Sequence, residues 1–599
     1  MFNAIVFSAL LLNAYVEGKK IGVSLDKVTG NPTIAAVGDS SPTVTASYDA
    51  TSEGWYYLDV QYQPDSDVSS ASVSDKLAAM RLMGYSEGLL TCNEFKIYYP
   101  NFYADSFGDE MVSDEVLGFM EQNYKYVAEM AEQNYMTDPY WLTMRGVVEQ
   151  LTGFIEGYKA SECAGVEKEY TPEDLMSSEN MSLMHLLMIN SWGDLYTIQT
   201  KFMLDKTNAR TVDTEYSAAK GYGGKARRIK YTAPKSVSGR QQNSTHTEIP
   251  RDLRCSSLFK LAPDNSDVYF AHNTWDSFTA NGPRTIKHYK TPSFSAEDAS
   301  MTRDMYLSSS PGLLSSVDDY YTVYSDQSAF AVIETTNDIM APELFKKVVP
   351  ESCLSWMRVT ASNAMASDGT SWAQVFSRYA SGTYTNQWQV GDMNKFVAGS
   401  SPRPGFFTVV EEIPGKVHYE DMTGFLNEHK YWPSYNVPYF DDIYHESGNE
   451  AACKAGTKNG ETDFCYDTCS RAQIFAMRQD TVVDMASMQA MISYNDYLND
   501  PISNGDPCAA IACRRDLSEG KSSYPAGAMD GKASSATTVQ ASVALARAGK
   551  SASPIMHARM GPTHDEVKPF CWSDQAEEYV HEGQPDCFAF EWLAFPPQV

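Results

Sequence analysis

The stretch RDLRCSSLFKLAPDNSDVYFAHNTWDSF, residues 251–278, decides the fold. Its two halves, CSSLFKL and VYFAHNTWDSF, are rich in apolar and β-branched residues, and acidic turn residues separate them. This pattern predicts a β-hairpin. Cys255 opens the first strand, and the return strand carries His272 and Asp276, so the hairpin holds residue types suited to nucleophilic catalysis.

The segment before the hairpin, residues 206–254, differs in character from the rest of the chain. It contains eleven Lys or Arg and only four acidic residues, is rich in Gly, Ser and Thr, and shows almost no periodicity. These features predict an exposed linker open to proteolysis. The alternative is an insertion without a role.

Cleavage of the Arg254–Cys255 bond would make Cys255 a new N-terminus. The thiol would then be the nucleophile and its own α-amine the general base, because such an amine has an unperturbed pKa of about 7.7–8.0. A linker that ends at such a residue is typical of an N-terminal nucleophile hydrolase before self-cleavage. The alternative is a structural cysteine buried in the core.

The N-terminal part divides into two regions. Residues 19–65 alternate β-branched and polar residues between turn signals, which predicts short strands, and residues 73–205 show helical periodicity. The clearest helix is predicted over residues 114–133, where apolar residues recur at helical spacing. We interpret these apolar faces as core.

The composition excludes several classes of protein. The hydrophobic fraction of 43% and the charged fraction of 21% are those of a packed globular chain. A formal charge of −30 argues against nucleic acid as a partner. No sequence pattern predicts a cofactor.

The first residues predict a secreted protein. The apolar run IVFSALLLNA, residues 4–13, is too short to span a membrane, and residues 1–18 are predicted to be a signal peptide; the alternative is a buried first strand. No later stretch predicts a membrane span. Asn180 and Asn243 lie in acceptor sequences for N-linked sugar. We expect an extracellular location or the lumen of a lysosome or vacuole.

Eleven cysteines leave one thiol over if the other ten pair. Close spacing favours the pairs Cys508 with Cys513 and Cys571 with Cys587. The chain has no paired CxxC and no HExxH, so no metal site is predicted. We expect the odd cysteine to be the nucleophile.

Short motifs along nearly the whole chain resemble the phospholipase B-like proteins, a family of secreted or lysosomal glycoproteins. They occur in family order, as follows: NSWGDLYT (190–197), CSSLFKL (255–261), AHNTWDSF (271–278), SSSPGLLSSVDDYY (308–321), VIETTN (332–337), SWMRVTASNAMASDG (355–369), NQWQV (386–390), VVEEIPG (409–415), YWPSYNVPYF (431–440), SYNDY (493–497), RRDL (514–517) and HEGQPD (581–586).

The resemblance implies an α+β fold, a four-layer αββα sandwich of the N-terminal nucleophile hydrolase type. The precursor would be split into an N-terminal fragment, residues 19–205, with added helices, and a C-terminal catalytic fragment, residues 255–599. Residues 206–254 would be the nicked or excised linker. The implied activity is removal of fatty acyl groups from glycerophospholipids through a cysteine thioester, without a cofactor.

The resemblance also implies roles for individual residues. Cys255 matches the nucleophile, and His272 and Asp276 match polar residues that orient the amine and hold substrate. The remaining positions are substrate-lining Thr335, Thr336 and Trp275, the oxyanion donor Asn495, and a site arginine that is Arg514 or its neighbour Arg515.

Three alternatives stay open at this stage. The same fold could cleave amides of N-acyl substrates, or the protein could bind lipid without turning it over. A serine hydrolase would use Gly38-Asp39-Ser40, but the sequence lacks the GxSxG elbow of that class.

Overall fold

A computed structural model describes residues 19–26, 29–35, 42–64, 71–164, 171–178, 181–210, 254–294, 302–459, 463–519, 523–550 and 555–597. The predicted signal peptide, both predicted glycosylation sites, the Gly38-Asp39-Ser40 alternative and most of the predicted linker lie outside these residues. Among the described residues, no helix is long and apolar enough to cross a membrane.

The larger sheet has eleven strands within the described residues. Its order is β13-β12-β11-β10-β9-β8-β7-β4-β3-β1-β2, and all neighbours are antiparallel except β4 and β7, which are parallel. The strands are β1 (Lys19–Leu25), β2 (Pro32–Ala35), β3 (Val44–Ala50), β4 (Trp55–Tyr62), β7 (Arg284–Pro292), β8 (Thr302–Ser309), β9 (Tyr320–Tyr324), β10 (Ala329–Thr336), β11 (Asn386–Asp392), β12 (Phe407–Ile413) and β13 (Lys416–Asp421). Strands from both sides of the predicted linker therefore share one sheet.

The smaller sheet contains the predicted hairpin. Its order is β14-β5-β6-β16-β17-β20, with β15 also paired to β6, and a separate two-stranded ribbon joins β18 to β19. The strands are β5 (Arg254–Leu261), β6 (Val268–Ser277), β14 (Tyr431–Ser434), β15 (Ala526–Ala528), β16 (Asp530–Ser535), β17 (Met556–Met560), β18 (Phe570–Cys571), β19 (Cys587–Phe588) and β20 (Leu593–Phe595).

The helices pack against these sheets and against one another. They are α1 (Val73–Leu90), α2 (Cys92–Phe107), α3 (Asp114–Asn134), α4 (Pro139–Ala160), α5 (Leu183–Asn190), α6 (Trp192–Arg210), α7 (Ser355–Met365), α8 (Gly369–Phe376), α9 (Thr423–His429), α10 (Asp441–Glu446), α11 (Asn449–Gly456), α12 (Ser470–Arg478), α13 (Met485–Ile492) and α14 (Ala536–Arg547). Helices α1, α7 and α8 share an apolar cluster with the larger sheet, and α12 and α13 share another with the smaller sheet.

The side-chain alternation of a strand decides which residues lie between the sheets. Phe259 of β5 and Phe270 of β6 stack at 5.4 Å, and Phe259 also contacts Phe407 of the larger sheet at 4.8 Å. On the other face of the hairpin, Leu258 and Ala271 belong to the cluster shared with α12 and α13. Residues of β5 and β6 in phase with Phe259 and Phe270 therefore face the larger sheet, and Cys255 and His272 are among them.

The predicted α+β class is confirmed. Strands occupy residues 19–62, helices occupy most of residues 73–210, and the helix predicted over residues 114–133 is α3. The helical region extends further than predicted, because α6 continues to Arg210. On the other side of the predicted linker, β5 already begins at Arg254.

Four disulfides join eight of the eleven cysteines. They are Cys92–Cys163, Cys453–Cys465, Cys508–Cys513 and Cys571–Cys587, and the last two are the pairs favoured by spacing. The expectation that ten cysteines pair is wrong: the other three, Cys255, Cys353 and Cys469, are all buried. Cys353 lies in the main hydrophobic core, where a cysteine serves as a small apolar residue.

Candidate active site

Cys255 lies near the start of β5 with its side chain facing the larger sheet, and only 3% of the residue is exposed. Two distant side chains hold its backbone. Its N–H donates to Oδ1 of Asn436 at 3.1 Å, and its carbonyl accepts from Nη1 of Arg471 at 2.6 Å. The nucleophile candidate is therefore fixed on a rigid strand by hydrogen bonds to both of its backbone groups.

Two buried side chains lie beside the Cys255 thiol. The Sγ atom of Cys255, a ring nitrogen of His272 and a carboxylate oxygen of Glu334 all lie within 4.8 Å of one another. Neither ring nitrogen of His272 has a hydrogen-bond partner among the described residues, and the same holds for Oε2 of Glu334. Buried polar atoms without a partner call for an explanation, and the sulfur, nitrogen and oxygen are also atoms that zinc accepts as ligands.

Burial sets the protonation state of this trio. It raises the pKa of the Cys255 thiol well above its usual value, and the negative charge of Glu334 raises it further. Burial likewise raises the pKa of Glu334, to which the nearby Asp319 adds, and it lowers the pKa of His272 well below its usual range, with a further contribution from Lys532. Around neutral pH the site therefore holds a thiol and a neutral imidazole.

A buried network of charges stands next to the trio. Lys532 of β16 donates from Nζ to Oγ1 of Thr274 at 2.7 Å and to Oδ2 of Asp530 at 2.7 Å. Arg284 also donates to Oδ2 of Asp530, at 2.8 Å, and both cations contact Asp318. Thr274 is the register partner of Cys255 across β5 and β6, so the network borders the nucleophile directly.

A small cavity of about 20 Å³ opens beside Cys255. Part of its lining is polar, and the rest is aromatic or aliphatic and comes from both sides of the predicted linker. The residues that surround it are Tyr98, Trp192, Cys255, Thr274, Trp275, Asp276, Arg284, Ser309, Ser310, Leu313, Val317, Asp318, Thr336, Tyr384 and Met529. A cavity of this size has room for about one water molecule, and its mixed lining is typical of ligand sites.

Thr335 and Thr336 lie at the end of β10, close to the backbone of the nucleophile. Thr336 lines the cavity, and its carbonyl accepts from Nδ2 of Asn436 at 2.6 Å. Thr335 is buried, and its hydroxyl shares a hydrogen bond with Ser434 at 2.5 Å. The two threonines thus help to fix Asn436, and only Thr336 reaches the cavity.

Asp276 and Trp275 border the same cavity from β6. Oδ1 of Asp276 accepts from the backbone N–H of Ser277 at 2.7 Å. The indole N–H of Trp275 donates to Asn273 at 2.8 Å, and the guanidinium of Arg471 lies 4.5 Å from the ring centre. Trp275 and Asn273 alternate with His272 and Thr274 along β6, so the indole lies on the strand face opposite to the thiol.

Asn495 and Arg514 are buried but are not among the residues that line the cavity. The amide nitrogen of Asn495 donates to the carbonyls of Pro507 and Ala512 at 2.9 and 2.6 Å, around the Cys508–Cys513 disulfide. Arg514 pairs with Asp516 at 2.7 Å and donates to two further carbonyls, those of Thr563 and Lys568. The structure thus gives both side chains hydrogen bonds to loop carbonyls.

The sequence did not single out several residues that the fold brings to Cys255. Asn436, Arg471, Glu334 and Lys532 come from four segments that are distant in sequence. Asn436 lies within YWPSYNVPYF and Glu334 within VIETTN, so those motifs already contained them. No local sequence pattern identifies Lys532 or Arg471 as site residues. Lys532 acts through a contact between strands, and Arg471 acts through a contact between a helix and a strand.

Comparison with known proteins assigns the family. The sequence model of the phospholipase B family matches residues 44–595. Phospholipase B-like protein C of Dictyostelium discoideum is 30% identical over 577 residues, covering 95% of this chain and 90% of that protein. Phospholipase B-like 1 of Rattus norvegicus is 32% identical over 547 residues, and that of Homo sapiens 31% over 546; each alignment covers 91% of this chain and 85% of the relative. The chain therefore belongs to the phospholipase B family.

Proposed function

We propose that the protein is an N-terminal nucleophile hydrolase that removes fatty acyl chains from glycerophospholipids. Cleavage of the Arg254–Cys255 bond would generate the active form, with Cys255 as the nucleophile. The family supports a phospholipase B-like activity in general terms. The arrangement around Cys255 supports the more specific mechanism.

The layering of the described elements supports the proposed fold type. Helices α1, α7 and α8 pack on the larger sheet, α12 and α13 pack on the smaller sheet, and the two sheets meet through aromatic contacts such as Phe259 with Phe407. This arrangement fits a four-layer αββα sandwich with additional helices contributed by residues 73–210. The nucleophile of such a fold belongs at the start of a strand that faces the other sheet.

The observation that carries the proposal is the environment of Cys255. The thiol of Cys255 faces a cavity, and the backbone nitrogen of Cys255 is held by Asn436. Cys255 is the second residue of β5, the first described strand after the basic segment. Burial raises the pKa of the thiol, so attack on a carbonyl needs a base close by. In the cleaved protein that base would be the α-amine on the same residue, held by Asn436 Oδ1.

The proposed reaction has two steps. The α-amine takes the thiol proton, and the thiolate attacks the acyl carbonyl to form a thioester. The ester C–O bond breaks, and the ammonium returns the proton to the departing oxygen of the lyso-lipid or glycerol portion. Water then hydrolyses the thioester and frees the fatty acid. Nζ of Lys532 donates to Thr274, the register partner of Cys255, so an ammonium group lies near the developing oxyanion. Asp530 and Asp318 balance the charges of Lys532 and Arg284.

The cavity supports an acyl-lipid substrate. Trp192, Leu313, Val317 and Met529 offer an apolar wall, whereas Arg284 and Asp318 give one region of the cavity strong polarity. An acyl chain would pack against this wall, with its carbonyl next to Cys255, only after side chains of the lining move apart, because the cavity measures only about 20 Å³. The four disulfides fit a location along the secretory pathway, extracellular or in a lysosomal or vacuolar lumen, since such compartments preserve disulfides.

Activity measurements with two bond types test the proposal. Purified protein is incubated with phosphatidylcholine and with an N-acyl amide, and released fatty acid is quantified. We expect release from phosphatidylcholine by the wild type and none by Cys255→Ala. Cys353→Ala is the matched control, because Cys353 is equally buried and lies outside the four disulfides, and it should retain activity.

The outcomes separate the candidate functions. Release only from the amide would replace the esterase assignment with an amidase. Self-cleavage that depends on Cys255, without fatty acid release from either substrate, would make the protein a lipid-binding glycoprotein instead. Full activity of Cys255→Ala would remove the proposed nucleophile.

A further inference from the structure

The uncleaved chain cannot use the base that the mature enzyme is proposed to use. Before cleavage the nitrogen of Cys255 is an amide that donates its N–H to Oδ1 of Asn436 at 3.1 Å. An amide nitrogen has no basic lone pair, so it cannot accept the thiol proton. If the proposed function holds, self-cleavage therefore needs a different proton acceptor.

His272 meets the requirements for that acceptor. It is completely buried, and one of its ring nitrogens lies within 4.8 Å of the Cys255 sulfur. Neither ring nitrogen has a hydrogen-bond partner among the residues that the structure describes. Leaving a buried polar group unpaired is destabilising, and such groups call for a functional explanation.

The other ionisable groups near the thiol are less suitable. Nζ of Lys532 donates to Asp530 and Thr274, so it is committed as a cation. Oε1 of Glu334 already accepts from the hydroxyl of Tyr384 at 3.3 Å, whereas both ring nitrogens of His272 are without a hydrogen-bond partner among the described residues. A neutral imidazole with an available nitrogen is the acceptor that remains.

We propose that His272 is the proton acceptor for self-cleavage and that the newly formed α-amine of Cys255 replaces it in substrate turnover. The Sγ proton moves to His272, and the sulfur forms a bond to the carbonyl carbon of Arg254. The bond between that carbon and the Cys255 nitrogen breaks, and the imidazolium returns its proton to the nitrogen. Water then splits the thioester into the Arg254 carboxyl group and the Cys255 thiol.

The test separates maturation from turnover within the full-length chain. A recognition sequence for a specific protease replaces the residues that end at position 254, so that cutting leaves Cys255 as the first residue. We expect His272→Gln to slow self-cleavage by about 100-fold or more, as expected for loss of a general base. After the protease has exposed Cys255, His272→Gln should gain turnover that the same variant lacks before cutting.

Hydroxylamine identifies the step that is blocked. It cleaves thioesters, so it should not restore cleavage in His272→Gln if the thioester never forms. His557→Gln is the matched control, because His557 lies in the same sheet on β17 and is not part of the site. Circular dichroism and thermal melting establish that each variant is folded.

Three results would overturn the inference. The first is self-cleavage of folded His272→Gln at the wild-type rate. The second is restoration of its cleavage by hydroxylamine. The third is turnover by protease-cut His272→Gln that is no higher than turnover by the same variant before cutting. Cys255→Ala distinguishes failure of the proposed function from failure of the His272 inference. If Cys255→Ala also cleaves itself, the proposed function falls and the question of its base no longer arises.

Discussion

At the scale of single residues, some buried polar side chains contact Cys255, whereas others hold loops in place. Asn436 bridges the nitrogen of Cys255 and the carbonyl of Thr336, so it couples the nucleophile to the end of β10. Asn495, an equally buried amide, donates its side-chain N–H groups to two loop carbonyls. Two residues of the same type thus have different contacts and, we expect, different roles.

Replacing Asn436 should reduce catalysis, whereas replacing Asn495 should reduce stability. Asn436→Leu removes the acceptor that holds the Cys255 amine, and we expect kcat to fall by about 100-fold, as for a misplaced general base. Asn436→Asp keeps an oxygen at that position and should lose less. Measuring kcat and KM on a fixed amount of cleaved enzyme, across pH, checks this, and an unchanged kcat for Asn436→Leu would contradict it.

Asn495→Leu should act on stability instead. It leaves the carbonyl of Ala512 without the donor that Asn495 supplies, which costs about 1–3 kcal/mol of unfolding free energy. The carbonyl of Pro507 keeps the backbone N–H of Arg514 at 3.0 Å. Chemical denaturation measures this loss. A normal stability combined with a loss of kcat like that of Asn436→Leu would place Asn495 in the chemistry after all.

Local pattern was sufficient for part of the site. Cys255 and His272 lie on neighbouring strands of one hairpin, so the sequence could predict their proximity from the turn between them. Glu334, Asn436 and Lys532 reach the thiol through sheet packing and strand pairing between distant segments. No local periodicity encodes such contacts, and the resemblance to the family pointed to Asn495 and Arg514, which do not line the cavity.

At the scale of elements, close backbone packing joins α1 to α4. A Cβ atom added at Gly84 would lie 1.9 Å from the carbonyl oxygen of Gln150, and one at Gly153 would lie 1.9 Å from that of Arg81. Both glycines therefore permit a helix contact that no other residue allows. Helical periodicity predicted these helices, but it could not predict which faces touch.

Gly84→Ala should separate α1 from α4. Because the added methyl group meets backbone and not a movable side chain, we expect a loss at the upper end of the ~1–3 kcal/mol typical of overpacking. Gly118→Ala in α3 is the control, since its Cβ would approach only the end of Gln122 at 3.9 Å and alanine favours the helix by ~1 kcal/mol. Equal unfolding midpoints for the two variants would contradict the packing.

His288 links three strands of the larger sheet. Its Nδ1 donates to Asp59 of β4 at 2.9 Å and its Nε2 to Asp304 of β8 at 2.8 Å. Burial alone would lower the pKa of His288, but its hydrogen bonds to these carboxylates raise the pKa to about 9. The charged imidazole therefore ties β4, from before the predicted linker, to β7 and β8, from after it.

The pH dependence of stability should reveal this link. A raised pKa means that the stabilisation is complete below the unfolded value of about 6.5 and is lost as pH rises through about 9. We expect the unfolding free energy of the wild type to fall over this range by up to about 1.4 kcal/mol per pH unit from this group, and His288→Gln to lack that component. Identical pH profiles for wild type and variant, measured by denaturant unfolding, would exclude the charged form.

At the scale of the whole molecule, the two proposed fragments form one folded unit. Parallel pairing of β4 with β7 joins them in a single sheet, and the buried pair Lys287 with Glu87, at 2.7 Å, connects β7 to α1. Each of the four disulfides closes within one fragment. After cleavage, therefore, noncovalent contacts alone would hold the fragments together.

The most direct test of the central claim is to determine the N-termini and intact masses of the purified wild type and of Cys255→Ala. We predict two wild-type chains that co-elute in gel filtration and separate on a non-reducing denaturing gel, the larger one beginning at Cys255. Cys255→Ala should remain a single chain. An active wild type that stays uncut, or that is cut elsewhere with Cys255 left internal, would contradict the account.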